Sequence, residues 1–133
     1  MNKLQATIDS IQEHEGISLV TFNTATCKLT MVALDLPKTL HISSQVTLGV
    51  KATHIALAKH KHEDISLSNQ IEASVRSVTH GAILCSVILH VNGEYLESII
   101  TQKSAQKMHI QVGESVIALI KSSDLYIFSQ EES

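Results

Sequence analysis

Short segments in which apolar and polar residues alternate run through most of the chain. Alternation with a period of two is typical of a β-strand that buries one face. The pattern predicts ten strands, five in each half of the 133-residue chain. The predicted strands cover residues 4–11, 17–22, 29–34, 45–50, 53–58, 71–78, 82–91, 95–100, 115–120 and 125–128.

The two halves resemble each other in sequence. Residues 50–55 and 120–125 each place one lysine, Lys51 or Lys121, between two apolar runs, and Asn2 and Asn69 begin similar alternating segments. Such internal similarity predicts two related modules, which we place at residues 1–60 and 65–130. Because modules this short bury only a small fraction of their surface, we expect them to pack against each other or against other subunits.

Five short strands in each module are typical of a small barrel. Asn92-Gly93 predicts a type I′ hairpin between the second and third strands of the second module. Residues 104–110 predict a short helical turn, with Ser104 as its cap and Gly113 in the turn that follows. The predicted fold class is all-β: two tandem five-stranded barrels like the oligonucleotide- and oligosaccharide-binding (OB) fold, each with a short helical turn.

Composition and charge argue against several functions. The formal net charge is −3 and only 3% of residues are aromatic, whereas a single-stranded nucleic-acid binder needs a basic groove and stacking rings. The longest apolar stretch, residues 82–89, is too short to cross a membrane. The N-terminal residues lack the apolar core of a signal peptide. We therefore expect a cytoplasmic protein with no nucleic-acid or membrane partner.

Cysteine and histidine, which often bind metals or act in catalysis, are scattered along the sequence. Cys27 and Cys85 are isolated in the sequence, without zinc spacing, and are interpreted as small core residues. His60 and His62 lie in the charged stretch 59–64, which we interpret as a flexible solvated linker rather than a metal site. Nucleophile-elbow, Walker and dinucleotide motifs are missing from the sequence. We expect no enzymatic activity and no metal held directly by side chains.

Four segments of the second half carry a family resemblance. They are Ser-Leu-Ser-Asn-Gln-Ile-Glu-Ala-Ser-Val from Ser66, His-Gly-Ala-Ile from His80, Ile-Ile-Thr-Gln-Lys-Ser from Ile99 and Val-Ile-Ala-Leu-Ile-Lys-Ser-Ser from Val116. In this order and spacing they resemble the molybdenum-pterin-binding (Mop) or TOBE family over residues 65–128. The first half resembles the same family more faintly, so the chain is similar to the tandem Mop proteins called molbindins.

The resemblance implies a set of oxyanion-binding residues. The family's serine and asparagine fall on Ser66 and Asn69, but its arginine is replaced by Ser68. Its threonine corresponds to Thr101. In the first half Leu34 stands where that threonine belongs. The family's lysine and the small residue after it correspond to Lys121 and Ser122, with Lys51 and Ala52 as the counterparts in the first half.

Molybdate is a tetrahedral dianion, so hydroxyls, backbone amides and one ammonium group suit it as donors. The expected function is molybdate or tungstate binding for molybdenum storage or homeostasis, by a homo-oligomer that the resemblance implies is a trimer. The expected binding residues are Lys121, Thr101, Ser122, Ser66, Ser68 and Lys51. Because serine does not replace the charge and fork of an arginine, the alternative is a regulatory or partner-binding module with a degenerate site.

Overall fold

The computed structural model describes residues 2–131, and most of them lie in β-strands, which confirms the prediction of an all-β chain. This part of the chain also contains a helix, α1 (Gln102–Met108), and a 3₁₀ turn (Ala52–His54). The strands are β1 (Asn2–His14), β2 (Ile17–Asn23), β3 (Lys28–Leu34), β4 (Gln45–Val50), β5 (Ala56–Ala58), β6 (Asn69–His80), β7 (Leu84–Val91), β8 (Glu94–Thr101), β9 (Ser115–Ile120) and β10 (Tyr126–Gln130).

The strands form two five-stranded antiparallel sheets that exchange strands between the halves. One sheet has the order β10-β4-β1-β2-β3 and the other the order β5-β9-β6-β7-β8. Strand β10 from the end of the chain therefore pairs with β4, and β5 from the first half pairs with β9. Each sheet takes its fifth strand from the opposite half of the chain, a topology that the alternating pattern does not reveal.

The two sheets repeat the same register. Asn2 lies opposite Val50 in one sheet, and Asn69 lies opposite Ile120 in the other. A β-bulge interrupts β1 between Ile8 and Ser10, and β6 carries the corresponding irregularity 67 residues further along, between residues 75 and 77. A bulge bends its strand and increases the local twist, so both sheets curl at equivalent places.

Alternate strand residues point into a continuous apolar core that includes both halves. The most deeply buried side chains, each 0% exposed, include Val20, Phe22, Val87, Leu89 and Val116. Aliphatic and β-branched side chains fit well on pleated surfaces. With few aromatic residues available, they supply most of this core.

The hairpin between β7 and β8 confirms the prediction made from Asn92-Gly93. Asn92 has a φ of 45° and Gly93 a φ of 83°, as a type I′ turn requires. The predicted helix is also present, but it begins earlier. Thr101 is its N-cap, and its Oγ1 accepts a hydrogen bond from the backbone N–H of Ser104 at 3.1 Å. The prediction that Ser104 caps the helix is therefore wrong.

The first half departs from the prediction of a helical turn between its third and fourth strands. Between β3 and β4 the described chain forms turns only, with a hydrogen bond from Leu40 N–H to the Pro37 carbonyl at 3.2 Å. Leu34 ends β3 opposite Ile17, as Thr101 ends β8 opposite Leu84. Leucine has no oxygen to cap a helix, which explains why the segment does not continue as one.

The charged stretch between the halves is held by hydrogen bonds at Lys59 and His62, which its interpretation as a flexible linker did not anticipate. The side-chain amide of Gln70 accepts from the N–H of His62 at 2.8 Å and donates to its carbonyl at 2.7 Å. Lys59 Nζ lies 2.7 Å from a carboxylate oxygen of Glu114.

The helices within residues 2–131 are too short to span a membrane.

Candidate functional site

A groove of about 600 Å³ lies where the end of β8 and the start of α1 face the turn that follows β9. Its polar lining includes Thr101, Ser104 and Lys121 from the second half. The 3₁₀ turn before β5 adds residues of the first half, because strand exchange carries that segment to the second sheet. Its apolar lining includes Leu67, Leu84, Ile99 and Leu119.

Two hydroxyl groups meet at one side of this groove. The Oγ atoms of Thr101 and Ser104 lie 2.8 Å apart, and both residues are exposed. The cap places them together, since Thr101 ends β8 and Ser104 begins the first turn of α1. Ser104 was not among the binding residues expected from the sequence. Its spacing of three from Thr101, the spacing of a helix cap, was the available signal.

Lys121 supplies a positive charge on the facing side. It follows β9 directly, is exposed, and its carbonyl accepts from the N–H of Asp124 at 2.9 Å in a tight turn. Within residues 2–131 no carboxylate lies within 4.0 Å of its ammonium group. The ammonium can therefore bind an anion without breaking an ion pair in this part of the chain.

A contact between a histidine of the first half and a carboxylate of the second half also lines the groove. His54 Nδ1 lies 3.6 Å from Asp124 Oδ1. The side chains are 41% and 29% exposed, so water reaches both. His54 lies three residues after Lys51, and Asp124 lies three residues after Lys121. The repeat therefore places these two residues at equivalent positions, and strand exchange brings them together.

The other expected binding residues lie outside this groove. Ser66 and Ser68 are exposed beside Leu67, which lines it. Ser122 is half-buried, and its carbonyl accepts from the N–H of Val32 in β3 at 3.0 Å. Lys51 is exposed after β4. Within one chain Thr101 and Lys121 line the same groove. Ser122 follows Lys121 directly, Ser66 and Ser68 flank Leu67 of the lining, and Lys51 precedes the 3₁₀ turn.

Asn69, which the resemblance assigned to the family motif, links the two sheets. Its side chain is 0% exposed. Its Oδ1 accepts from the N–H of Thr30 in β3 at 2.8 Å, and its Nδ2 donates to the Thr30 carbonyl at 2.8 Å. Asn2 makes the same pair of bonds to Glu97 in β8, at 2.8 and 2.7 Å. Both asparagines therefore fasten the first strand of one half to the third strand of the other.

A second groove, of about 570 Å³, lies beside the segment between the halves. Two lysines line it, but Lys59 pairs with Glu114 at 2.7 Å and Lys61 with Glu72 at 3.7 Å. An anion entering this groove would have to compete with these carboxylates. The groove that contains Lys121 is the better candidate for an anion.

The described residues do not favour a metal site or a reactive thiol. Among residues 2–131 no three His, Cys, Asp or Glu side chains cluster as metal ligands would. Burial raises the pKa of the Cys85 thiol, which opposes formation of the reactive thiolate. Cys85 is 0% exposed and belongs to the core.

Comparison with known proteins shows similarity to a domain family and to a solved structure. Residues 65–127 match the TOBE domain family. The structure is also similar to the crystal structure of the cytoplasmic molybdate-binding protein ModG with molybdate bound. The TM-score is 0.88 and the sequences are 22% identical, over 95% of this chain and 94% of that one. No curated protein sequence matches the chain.

Proposed function

Because residues 65–127 belong to the TOBE domain family, we propose that this protein binds molybdate or tungstate in the groove formed by Thr101, Ser104 and Lys121. The observation that carries the proposal is the meeting of two hydroxyls and an unpaired ammonium group in one groove of the family domain. The similarity in fold to ModG, which is crystallised with molybdate, supports it.

The groove suits a tetrahedral dianion chemically. Such an ion only accepts hydrogen bonds, and hydroxyl and ammonium groups can donate to it. The Thr101 hydroxyl accepts from the Ser104 N–H and donates to Ser104 Oγ at 2.8 Å, which leaves the hydrogen of the Ser104 hydroxyl available to donate to an ion. Lys121 compensates part of the charge. The proposed role is binding, for storage or homeostasis of molybdenum in the cytoplasm, rather than catalysis.

The proposed architecture is two OB-type barrels with exchanged fifth strands, built on sequence modules 1–60 and 65–130. The equal registers of the two sheets support this division. The halves differ at the position of the proposed site, where Leu34 takes the place of Thr101. Only the second half presents the paired hydroxyls, so we expect one oxyanion for each chain.

We further propose a homotrimer. On the outer face of β2 and β3, Ile17, Leu19, Val32 and Leu34 form an exposed apolar patch, with Leu34 73% exposed. Contiguous apolar surface of this kind commonly marks a protein interface. A neighbouring chain would bury it and would bring further donors toward the groove, for which Ser66, Ser68, Ser122 and Lys51 are the candidates. Closed rotational symmetry completes such shared sites.

Equilibrium dialysis against molybdate, tungstate and sulfate tests the proposal, with bound metal counted by elemental analysis and assembly mass measured by light scattering. We expect saturable uptake of molybdate or tungstate, one ion for each chain, by a trimer. Lys121→Ala should weaken binding by about tenfold or more, because an unpaired cation facing a dianion is lost. Lys107→Ala, at the exposed far end of α1, is the matched control and should bind normally.

The outcomes separate the candidate functions. Equal losses in the two lysine variants would remove the proposed groove while leaving oxyanion binding elsewhere. Absence of uptake by a correctly assembled wild-type protein would reject oxyanion binding. The partner-binding alternative would then be favoured, since Ser68 stands in place of the family's arginine.

A further inference from the structure

We propose that His54, which the first half contributes to the groove, is a second cationic contact for the bound oxyanion, so that affinity increases as the pH falls. This inference rests on the oxyanion site proposed above. The observations behind it are the position of His54 in the lining of the groove and the distance of 3.6 Å between its Nδ1 and Asp124 Oδ1.

The charges of the groove explain why a histidine is needed. Lys121 and Asp124 lie on the same turn and both line the groove. Their formal charges cancel, and a carboxylate close to a dianion is repulsive. A protonated His54 beside Asp124 would offset that carboxylate and leave the groove with a net positive charge. A neutral His54 would leave it without one.

The orientation of the imidazole suits a contact with the ion. Nδ1 faces Asp124, and within residues 2–131 the ring makes no other hydrogen bond or ion pair that occupies Nε2. In a protonated ring both nitrogens carry hydrogens. One N–H can therefore face Asp124 while the other remains available to an oxyanion oxygen.

Few other charges surround His54. The 3₁₀ turn packs on β8, where the buried Ser98 hydroxyl donates to the Ile55 carbonyl at 2.6 Å. Glu97, which precedes Ser98 in β8, points to the opposite face of the sheet. Its carboxylate accepts a hydrogen bond from the Ser86 hydroxyl at 2.5 Å. The turn after β9 presents Asp124 and Lys121, and Lys51 precedes His54 on its own turn. Asp124 is the carboxylate that the ring faces.

Isothermal titration calorimetry with dilute monomeric molybdate tests this inference on the full chain, near pH 6 and near pH 8. We expect the wild type to bind about three to ten times more tightly near pH 6, as expected for a partly exposed charge next to a dianion. Titrations near pH 7 in buffers of different ionisation enthalpy should reveal proton uptake on binding.

His54→Gln should lose both the pH dependence and the proton uptake. His14→Gln is the matched control, because His14 also lies beside a carboxylate, at 3.7 Å from Glu15, but far along β1 from the groove lining. It should behave as the wild type. Asp124→Asn tests the same pair from the other side and should bind severalfold more tightly near pH 8, since its carboxylate no longer repels the ion.

The results distinguish the role of His54 from the proposed oxyanion binding on which it rests. If His54→Gln keeps the pH dependence and the proton uptake of the wild type, His54 is not a contact, although the oxyanion site stands. Unchanged affinity in Asp124→Asn near pH 8 would likewise contradict the charge argument. If the wild type binds no molybdate at either pH, the proposed function and this inference both fail.

Discussion

Asn69 connects the two sheets through side-chain hydrogen bonds. Its side chain is completely buried and satisfies both backbone groups of Thr30 in β3. The sequence identified Asn69 as a family position but not as a link between halves. An asparagine at the start of a strand has the same sequence pattern whether it faces a ligand or another strand, so only the three-dimensional packing separates the two.

Asn69→Ala should lower the free energy of unfolding by about 2–4 kcal/mol, because it removes two buried hydrogen bonds and leaves the Thr30 amide and carbonyl without their partner. Urea denaturation followed by circular dichroism measures the change. Asn23→Ala is the control, since Asn23 is exposed and bonds to Asp9 at 3.1 Å. An equally small effect in both variants would show that Asn69 does not link the sheets energetically.

Local sequence rules predict single elements well where the local physics decides them. Asn92-Gly93 determines its hairpin because both residues tolerate a positive φ. The helical turn of the first half was wrongly predicted because strand alternation repeats there while the cap does not. Leu34 replaces the capping residue, and the following Asp35 adopts a φ of 51°. The segment of the first half also contains Pro37, which the helical segment of the second half lacks.

Glu114, the residue before β9, pairs with Lys59 of the segment between the halves. Burial acts to raise the pKa of the Glu114 carboxyl. Hydrogen bonds from Lys59 and from the backbone N–H of Gln111, together with the charge of Lys59, outweigh that effect and lower it. A carboxyl whose pKa is lower in the folded state stabilises the fold at pH values above its unfolded pKa. That stabilisation is lost as the pH falls through the folded value.

Glu114→Gln should therefore cost about 1 kcal/mol at neutral pH, as a partly buried and multiply hydrogen-bonded ion pair contributes. The difference from the wild type should shrink as the pH falls below the usual range of a carboxyl pKa. Thermal unfolding over a series of pH values measures it. Glu72→Gln, which removes a longer and more exposed pair with Lys61, should have little effect. A pH-independent loss in Glu114→Gln would contradict the electrostatic origin.

At the scale of the whole molecule, strand exchange is the feature that the sequence did not predict. Both β5 and β10 follow a lysine-containing turn at the end of a module, and each has the pattern of a strand. Nothing in that pattern specifies which sheet a strand joins. The same exchange brings His54 to the groove of the second half, so the sequence did not predict that His54 belongs to the candidate site. Thr101 and Lys121 belong to one module, and both were expected from the family resemblance.

Strand exchange predicts that the two halves depend on each other to fold. A polypeptide of residues 1–64 lacks β10, and one of residues 65–133 lacks β5, so each sheet would have an unpaired β4 or β9 edge and an open core. Neither piece alone should show a cooperative unfolding transition. Mixed at sufficient concentration, they should form a one-to-one complex with the circular dichroism spectrum of the intact chain, because each supplies the strand that the other lacks.

A chain cut after folding is the matched control for that experiment. A protease site introduced within residues 59–64 should allow cleavage while the pieces stay associated, since β5 and β10 still cross between the sheets. The cut chain should unfold at a lower temperature than the intact chain and with a steeper dependence on concentration, because unfolding now separates the two pieces as well as the subunits of the proposed trimer. If the pieces separate under native conditions, or if either piece alone unfolds as cooperatively as the intact chain, the exchanged strands do not hold the halves together.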